Sequence, residues 1–187
     1  MTAPLSPAIA DLTGDYALDP AHTRLGFVAR HAMVTKVRGS FTAFEGTAHL
    51  DAANPASSTA SLTIQVASIT TGNEQRDGHL RTNDFFAAPD FPTITFTSTS
   101  VDVLGTDEFR LNGDITIKGV TKPLSIVFEH TGTAKDPFGN LRAGFDGKAT
   151  LTRSDFGISY NAALETGGVL VSDKITLEFD VSAIRST

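Results

Sequence analysis

In KITLEFDV, near the end of the chain, Ile175, Leu177, Phe179 and Val181 alternate with Lys174, Thr176, Glu178 and Asp180. A period of two marks a β-strand with one dry and one wet face. The same alternation runs through Leu62, Ile64 and Val66, through Ile94 and Phe96, through Leu111, Ile115 and Ile117, and through Leu124, Ile126 and Phe128. Wet faces on successive strands predict an antiparallel sheet. Turn signals separate the runs at Asn54-Pro55, Gly105 to Glu108, Lys118 to Pro123 and Asp136 to Asn140. Roughly eight strands result, which suits an antiparallel barrel or sandwich and not an α/β fold. Asn112-Gly113 is also a hairpin signal, but a turn there would leave pieces too short to pair. The turn is therefore expected at Gly105 to Glu108, with Gly113 inside a strand.

One segment departs from this pattern. NEQRDGHLRTNDFF, Asn73 to Phe86, carries Glu74, Arg76, Asp77, His79 and Arg81 between two Thr- and Ile-rich runs. Thr71 to Glu74 fits a capping box and Asn73 is an alternative cap, so a short helix is predicted from about Asn73 to Asn83. By itself this helix is poor. Leu80 is its single large apolar side chain, and Gly78 costs about 1 kcal/mol against alanine. The pairs Asp77/Arg81 and Arg76/His79 share helix faces, yet exposed pairs of this kind contribute only a few tenths of a kcal/mol. Two readings stand: Phe85, Phe86 and Phe91 pin the segment to an apolar rim, or it is a solvated connector.

Composition narrows the class. The 187 residues, 40% hydrophobic and 19% charged, suffice for one domain, and no Pro/Gly/Ser-rich linker divides them. We expect a flexible N-terminal segment, residues 1–14, followed by a folded domain over 15–187. The chain has no Cys, which removes disulfides, thiolate metal sites and cysteine nucleophiles. A net charge of -6 argues against nucleic acid as a partner. The start lacks the basic and continuously apolar stretches of an export signal, and no run is long enough to span a membrane, so a cytoplasmic location is expected. His22, His31, His49, His79 and His130 show no metal-ligand spacing. G-x-S-x-G, Walker-type and G-x-G-x-x-G motifs are absent. Neither a metal, a cofactor nor an enzymatic activity is expected.

Several blocks resemble the YceI-like family of lipocalin-like, polyisoprenoid-binding barrels, over about Tyr16 to Ile184. DPAHTRLGFVARH (Asp19 to His31) is similar to the family's opening strand, and VRGSFTAFEG (Val37 to Gly46) to its V-x-G-x-F-x-x-F-x-G block. RDGHL (Arg76 to Leu80) with Phe85 and Phe86, the P-x-I-x-F run at Pro92 to Phe96, GDITIKGVTKP (Gly113 to Pro123) and RSDFG (Arg153 to Gly157) follow in order. Thr152 stands where the family commonly has Asn, and the secretion signal of its periplasmic members is missing.

The resemblance implies an eight-stranded antiparallel lipocalin-like β-barrel with one short helix near its mouth, binding a long isoprenoid-type lipid in an apolar lumen. It also suggests a homodimer. From the residues alone, the 13 Phe can line such a lumen or plug it. The lumen candidates are Phe27, Phe41, Phe44, Phe96, Ile117 and Phe128. For a head group such as a pyrophosphate, quinone carbonyl or amide, the candidate donors are Arg76, His79 and Arg153, although a structural role for Arg76 and Asp77, linked to Arg153 and Asp155, fits equally. Asp77 is placed to orient His79 or Arg81. An alternative function is that of an enzyme or stress-related redox helper using a bound quinone.

Overall fold

The computed structural model describes residues 12–32, 34–162, 164 and 170–186. Of the expected flexible segment, residues 1–11 lie outside this set; Leu12 is buried, and Tyr16 donates its hydroxyl to the Leu12 carbonyl at 2.8 Å. The strands are β1 (Gly14–Leu18), β2 (Arg24–His31), β3 (Thr35–Phe41), β4 (Phe44–Leu50), β5 (Thr59–Gln65) and β6 (Ile69–Thr70). After the helix α1 (Glu74–Leu80) come β7 (Thr93–Val103), β8 (Glu108–Ile117), β9 (Val120–Lys135), β10 (Leu141–Thr152) and β11 (Lys174–Arg185).

These segments make a closed antiparallel barrel of eight staves. β1 and β2 pair in succession with β11, β3 and β4 with β2 and β1, and β4 and β3 with β5 and β6. Each of these three pairs of segments is one interrupted strand, and neighbouring staves follow one another in chain order. At the first interruption the buried Thr23 hydroxyl replaces the missing ladder, donating to the Ser182 carbonyl and accepting from the Ser182 N–H. The ring closes through β11 with β1 and β2, while β3 meets β6 only at Ser40 and Phe41.

The Gly105 turn forms as expected, with the Leu104 and Gly105 N–H groups both on the Glu108 carbonyl. β8 runs unbroken through Asn112-Gly113, paired with β7 on one side and β9 on the other, and the site takes glycine because a Cβ would lie 2.5 Å from both Phe96 Cζ and the Thr97 carbonyl oxygen. Two expected boundaries move. The β8–β9 turn is only Lys118-Gly119, both at positive φ (51° and 76°), so Val120 to Pro123 belong to β9. Val66 leaves its strand for a short 3-10 turn, Val66–Ser68.

The helix is shorter than Asn73 to Asn83. Asn73 is its cap, accepting the Arg76 N–H at 3.0 Å, while Thr71 turns its hydroxyl and N–H to Asp77 at 2.5 and 2.9 Å. Beyond Leu80 the chain turns through Ala87, at φ 49°, and swings Phe85 and Phe86 inward. Phe85 is buried and Phe86 meets Phe41 edge-on at 6.1 Å, so the segment is pinned, not a solvated connector. Phe91 stays at the rim and covers Gly119, whose Cβ would sit 2.9 Å from its ring. Among the described residues, no helix is long and apolar enough to cross a membrane.

Candidate functional site

The inward residues of a filled eight-stranded barrel would all be packed. Here Leu62, Leu177, Phe179 and Val181 point inward from their strands yet are only half-buried, because they face a hollow. Two chambers occupy it. One, of about 170 Å³, lies toward Leu12, Tyr16 and the 51–58 loop; the other, of about 150 Å³, lies under the helix, Phe85, Phe86 and Phe156. Leu25, Leu62, Phe96, Ile126 and Phe179 border both chambers, so they form the waist at which the two almost wholly apolar chambers adjoin. At roughly 10–15 Å³ for each water-sized group, each chamber holds on the order of ten such groups.

The sequence candidates distribute unevenly over this geometry. Phe27, Phe41, Phe96 and Ile117 line the chamber under the helix, and Phe128 lines the other. Phe44 is buried in the core but borders neither. Arg153, on the 3-10 turn Arg153–Phe156, lines the chamber under the helix, whereas Arg76 and His79 line neither chamber. Leu177 and Phe179 were missed as lining residues, although the alternation of β11 gives their phase; Leu25 has no comparable signal beyond its place in β2.

Arg153 is 5% exposed, and no carboxylate pairs with it among the described residues. Its Nε donates to the Ser172 carbonyl at 2.9 Å, Nη1 to Ile158 at 2.9 Å and Nη2 to Val171 at 3.3 Å. Burial lowers its pKa from the ordinary value, and the Asp173 carboxylate works in the opposite direction. The guanidinium thus ties both flanks of the β10–β11 connection to the barrel end.

The helix polar groups are spent on the bend before the helix. Arg76 donates from Nε to the Thr71 hydroxyl and from Nη2 to the Thr71 carbonyl, at 2.7 and 2.9 Å. Arg81 reaches the Ala67 and Ile69 carbonyls at 3.0 and 3.2 Å. Asp77, 5% exposed, holds Thr71 and orients neither His79 nor Arg81; the expected link to Arg153 and Asp155 does not form. His79 instead bonds Asp84 through Nε2 at 2.7 Å and packs edge-on against Phe85 and Tyr160, with centroids 5.1 and 5.0 Å away. Lys118 donates to the Asn83 carbonyl at 3.1 Å. Asp84, Tyr160 and Lys118 carry no periodic signal, and their association depends on the tertiary fold. At the other end, His130 is buried against Phe145, and burial lowers its pKa against the opposing pull of Asp107.

A family model described as the YceI-like domain matches residues 16–183. A UPF0312 protein of Staphylococcus aureus is 38% identical over 165 residues, covering 88% of this chain and 94% of the relative. One from Ectopseudomonas mendocina is 40% identical over 150 residues, covering 79% and 78%. Among solved structures, the YCEI protein of Campylobacter jejuni superposes with a TM-score of 0.72 at 30% identity, over 84% of this chain and 90% of that one. BcnA of Burkholderia cenocepacia gives 0.77 at 24% identity, over 88% and 98%. A polyisoprenoid binding domain from Saccharophagus degradans gives 0.69 at 17% identity, over 91% and 98%; at these last two identities the likeness is one of fold.

Proposed function

Because this chain belongs to the YceI-like family, we propose that it binds a long isoprenoid-type lipid, such as a polyprenyl chain, polyprenyl phosphate or quinone, and carries or sequesters it. The observation that supports this reading is the pair of apolar chambers inside the barrel that adjoin at the waist of Leu25, Leu62, Phe96, Ile126 and Phe179. A related fold is described as polyisoprenoid binding in Saccharophagus degradans. Each buried methylene contributes about 0.8 kcal/mol, so each isoprene unit adds a few kcal/mol before ordering costs. A bond from a charged donor to the head group adds about 1.5–3 kcal/mol, less than two isoprene units. The tail therefore sets affinity in this reading.

For the head group, Arg153 is the cationic side chain in the lining. A guanidinium has five N–H donors; three of these reach carbonyls, and the other two have no acceptor among the described residues. They suit an oxygen of a carbonyl or phosphate. Arg76 and His79 would touch only a head that projects past Phe85.

The test is to purify the protein without detergent from its native host and compare native with denaturing mass spectra. A mass lost on denaturation, identified after organic extraction as a polyprenyl compound, is the expected result. If no mass is lost, even after polyprenols are offered, the proposal fails. A quinone absorbance in the extract would assign the head group.

A further inference from the structure

Three lumen phenylalanines lie on glycines of the neighbouring strand. In the chamber under the helix, Phe27 on β2 stands directly opposite Gly39 on β3, where a Cβ would come within 2.9 Å of both Cε atoms of the ring. At the waist, Phe96 on β7 lies diagonally across Gly113 on β8, with Cε2 at 2.8 Å from the missing Cβ. In the far chamber, Phe128 on β9 faces Gly147 on β10, with Cδ1 at 2.6 Å. Gly39, Gly113 and Gly147 are all buried inner-face positions.

None of the three has a positive φ, so backbone freedom does not explain them. The explanation is space. Ordinary contact with a Cβ begins near 3.4 Å, so any side chain at Gly39 or Gly147 would push the opposing ring about 1 Å inward. Glycine in a strand weakens it, and a recurrent one marks a close approach; here what approaches is a ring lying against the wall.

We infer that Gly39, Gly113 and Gly147 set the bore of the lumen: by letting Phe27, Phe96 and Phe128 lie flat on the wall at three successive levels, they admit a single slender hydrocarbon chain from end to end. The inference rests on the lipid-binding reading for its guest class, but it predicts bore control whatever slender chain is bound. Gly113 also approaches the Thr97 carbonyl, so substitution there strains the backbone as well as the ring. At Gly39 and Gly147 the three atoms nearest the added Cβ all belong to the opposing ring, and these are the sites to vary.

The experiment titrates delipidated wild type, Gly39→Val, Gly147→Val and the double variant Gly147→Val/Phe128→Ala with geranylgeraniol and with n-hexadecanol, scoring binding by native mass spectrometry. Gly78→Ala, whose added Cβ meets nothing within 4 Å, is the control. Each Val variant should bind whichever chain wild type binds at least about tenfold more weakly, and the double variant should regain most of that affinity. Circular dichroism establishes that the variants are folded; valine favours strands, and removing the ring in the double variant relieves the clash if Gly147→Val alone does not fold. Undiminished binding by folded Gly39→Val and Gly147→Val, or no recovery in the double variant, overturns bore control. Wild type that takes n-hexadecanol but refuses geranylgeraniol overturns the isoprenoid reading alone. Binding of neither chain by wild type overturns both.

Discussion

Replacing Arg153 with Met should cost the protein about 2–4 kcal/mol, and the figure follows from what the guanidinium touches. Three carbonyls, of Ser172, Ile158 and Val171, accept from it. A hydrogen bond from a charged donor contributes about 1.5–3 kcal/mol. The bond to Val171 is long at 3.3 Å, and Ser172 and Val171 are half-buried, so the sum is less than three full bonds. Methionine preserves much of the apolar contact and relieves the burial of a guanidinium that has no carboxylate partner among the described residues, a gain that offsets part of the loss. Arg153→Lys keeps a charge but loses the planar fork, and it should recover less than half. Urea unfolding of delipidated protein reads the effect as a lower midpoint at unchanged slope; with a slope of about 1–3 kcal/mol/M, a loss of 3 kcal/mol moves the midpoint by about 1–3 M. An unfolding free energy for Arg153→Met within about 0.5 kcal/mol of wild type would show that these carbonyls do not depend on Arg153, and the account of how this end is tied would be wrong.

Two further outcomes follow from single positions. Gly78→Ala should raise stability by about 0.5–1 kcal/mol, since the position is helical and the new methyl meets no neighbour; a fall in melting temperature would contradict this. Arg142 bonds Asp19 at 2.6 Å and Asp136 at 2.8 Å, and both carboxyls titrate at about 2 against an ordinary 3.8. For Asp19 the main causes are the bonds from Arg142 and then His22. For Asp136, desolvation opposes ionisation, but the bonds from the Asn140 N–H, Arg142 and the Phe138 N–H outweigh it. The unfolded chain binds more protons between these values, so the stabilisation is complete above pH 3.8 and disappears as pH falls toward 2. Arg142→Met should flatten that acid limb in unfolding measured across this range, and an unchanged slope would count against the network.

Most of the barrel was readable from the chain because a wet outer face imposes a period of two, and that period also gives the inward phase of Phe96, Ile117 and Phe128. It does not reveal how far an inward ring projects. Whether Phe128 fills the lumen or lies along its wall depends on Gly147 opposite it, a relation of register between strands that spacing along one strand does not contain. Interrupted staves were equally hidden: Thr23 completes the ladder at the β1–β2 break through its side chain, and nothing in the alternation marks it. Proximity in sequence misled at Asp77, whose partner proved to be Thr71 behind it, not His79 or Arg81 ahead.

The charged insert now has a physical account. A seven-residue helix with one large apolar side chain cannot be held by its own face, since burying Leu80 contributes only about 1.5–3 kcal/mol. Its charged groups make up the difference by gripping the bend that precedes it: Asp77 and Arg76 hold Thr71, and Arg81 holds the carbonyls of Ala67 and Ile69. Hydrogen bonds to charged groups, at about 1.5–3 kcal/mol each, exceed what an exposed ion pair supplies, so these residues act as local fastening for the helix. Once the helix is fastened, the chain leaves Leu80 in the direction that carries Phe85 and Phe86 over the end of the lumen. The charges and the phenylalanines are thus two halves of one device, and the run from Asn73 to Phe86 is charged where it grips the wall and aromatic where it covers the cavity.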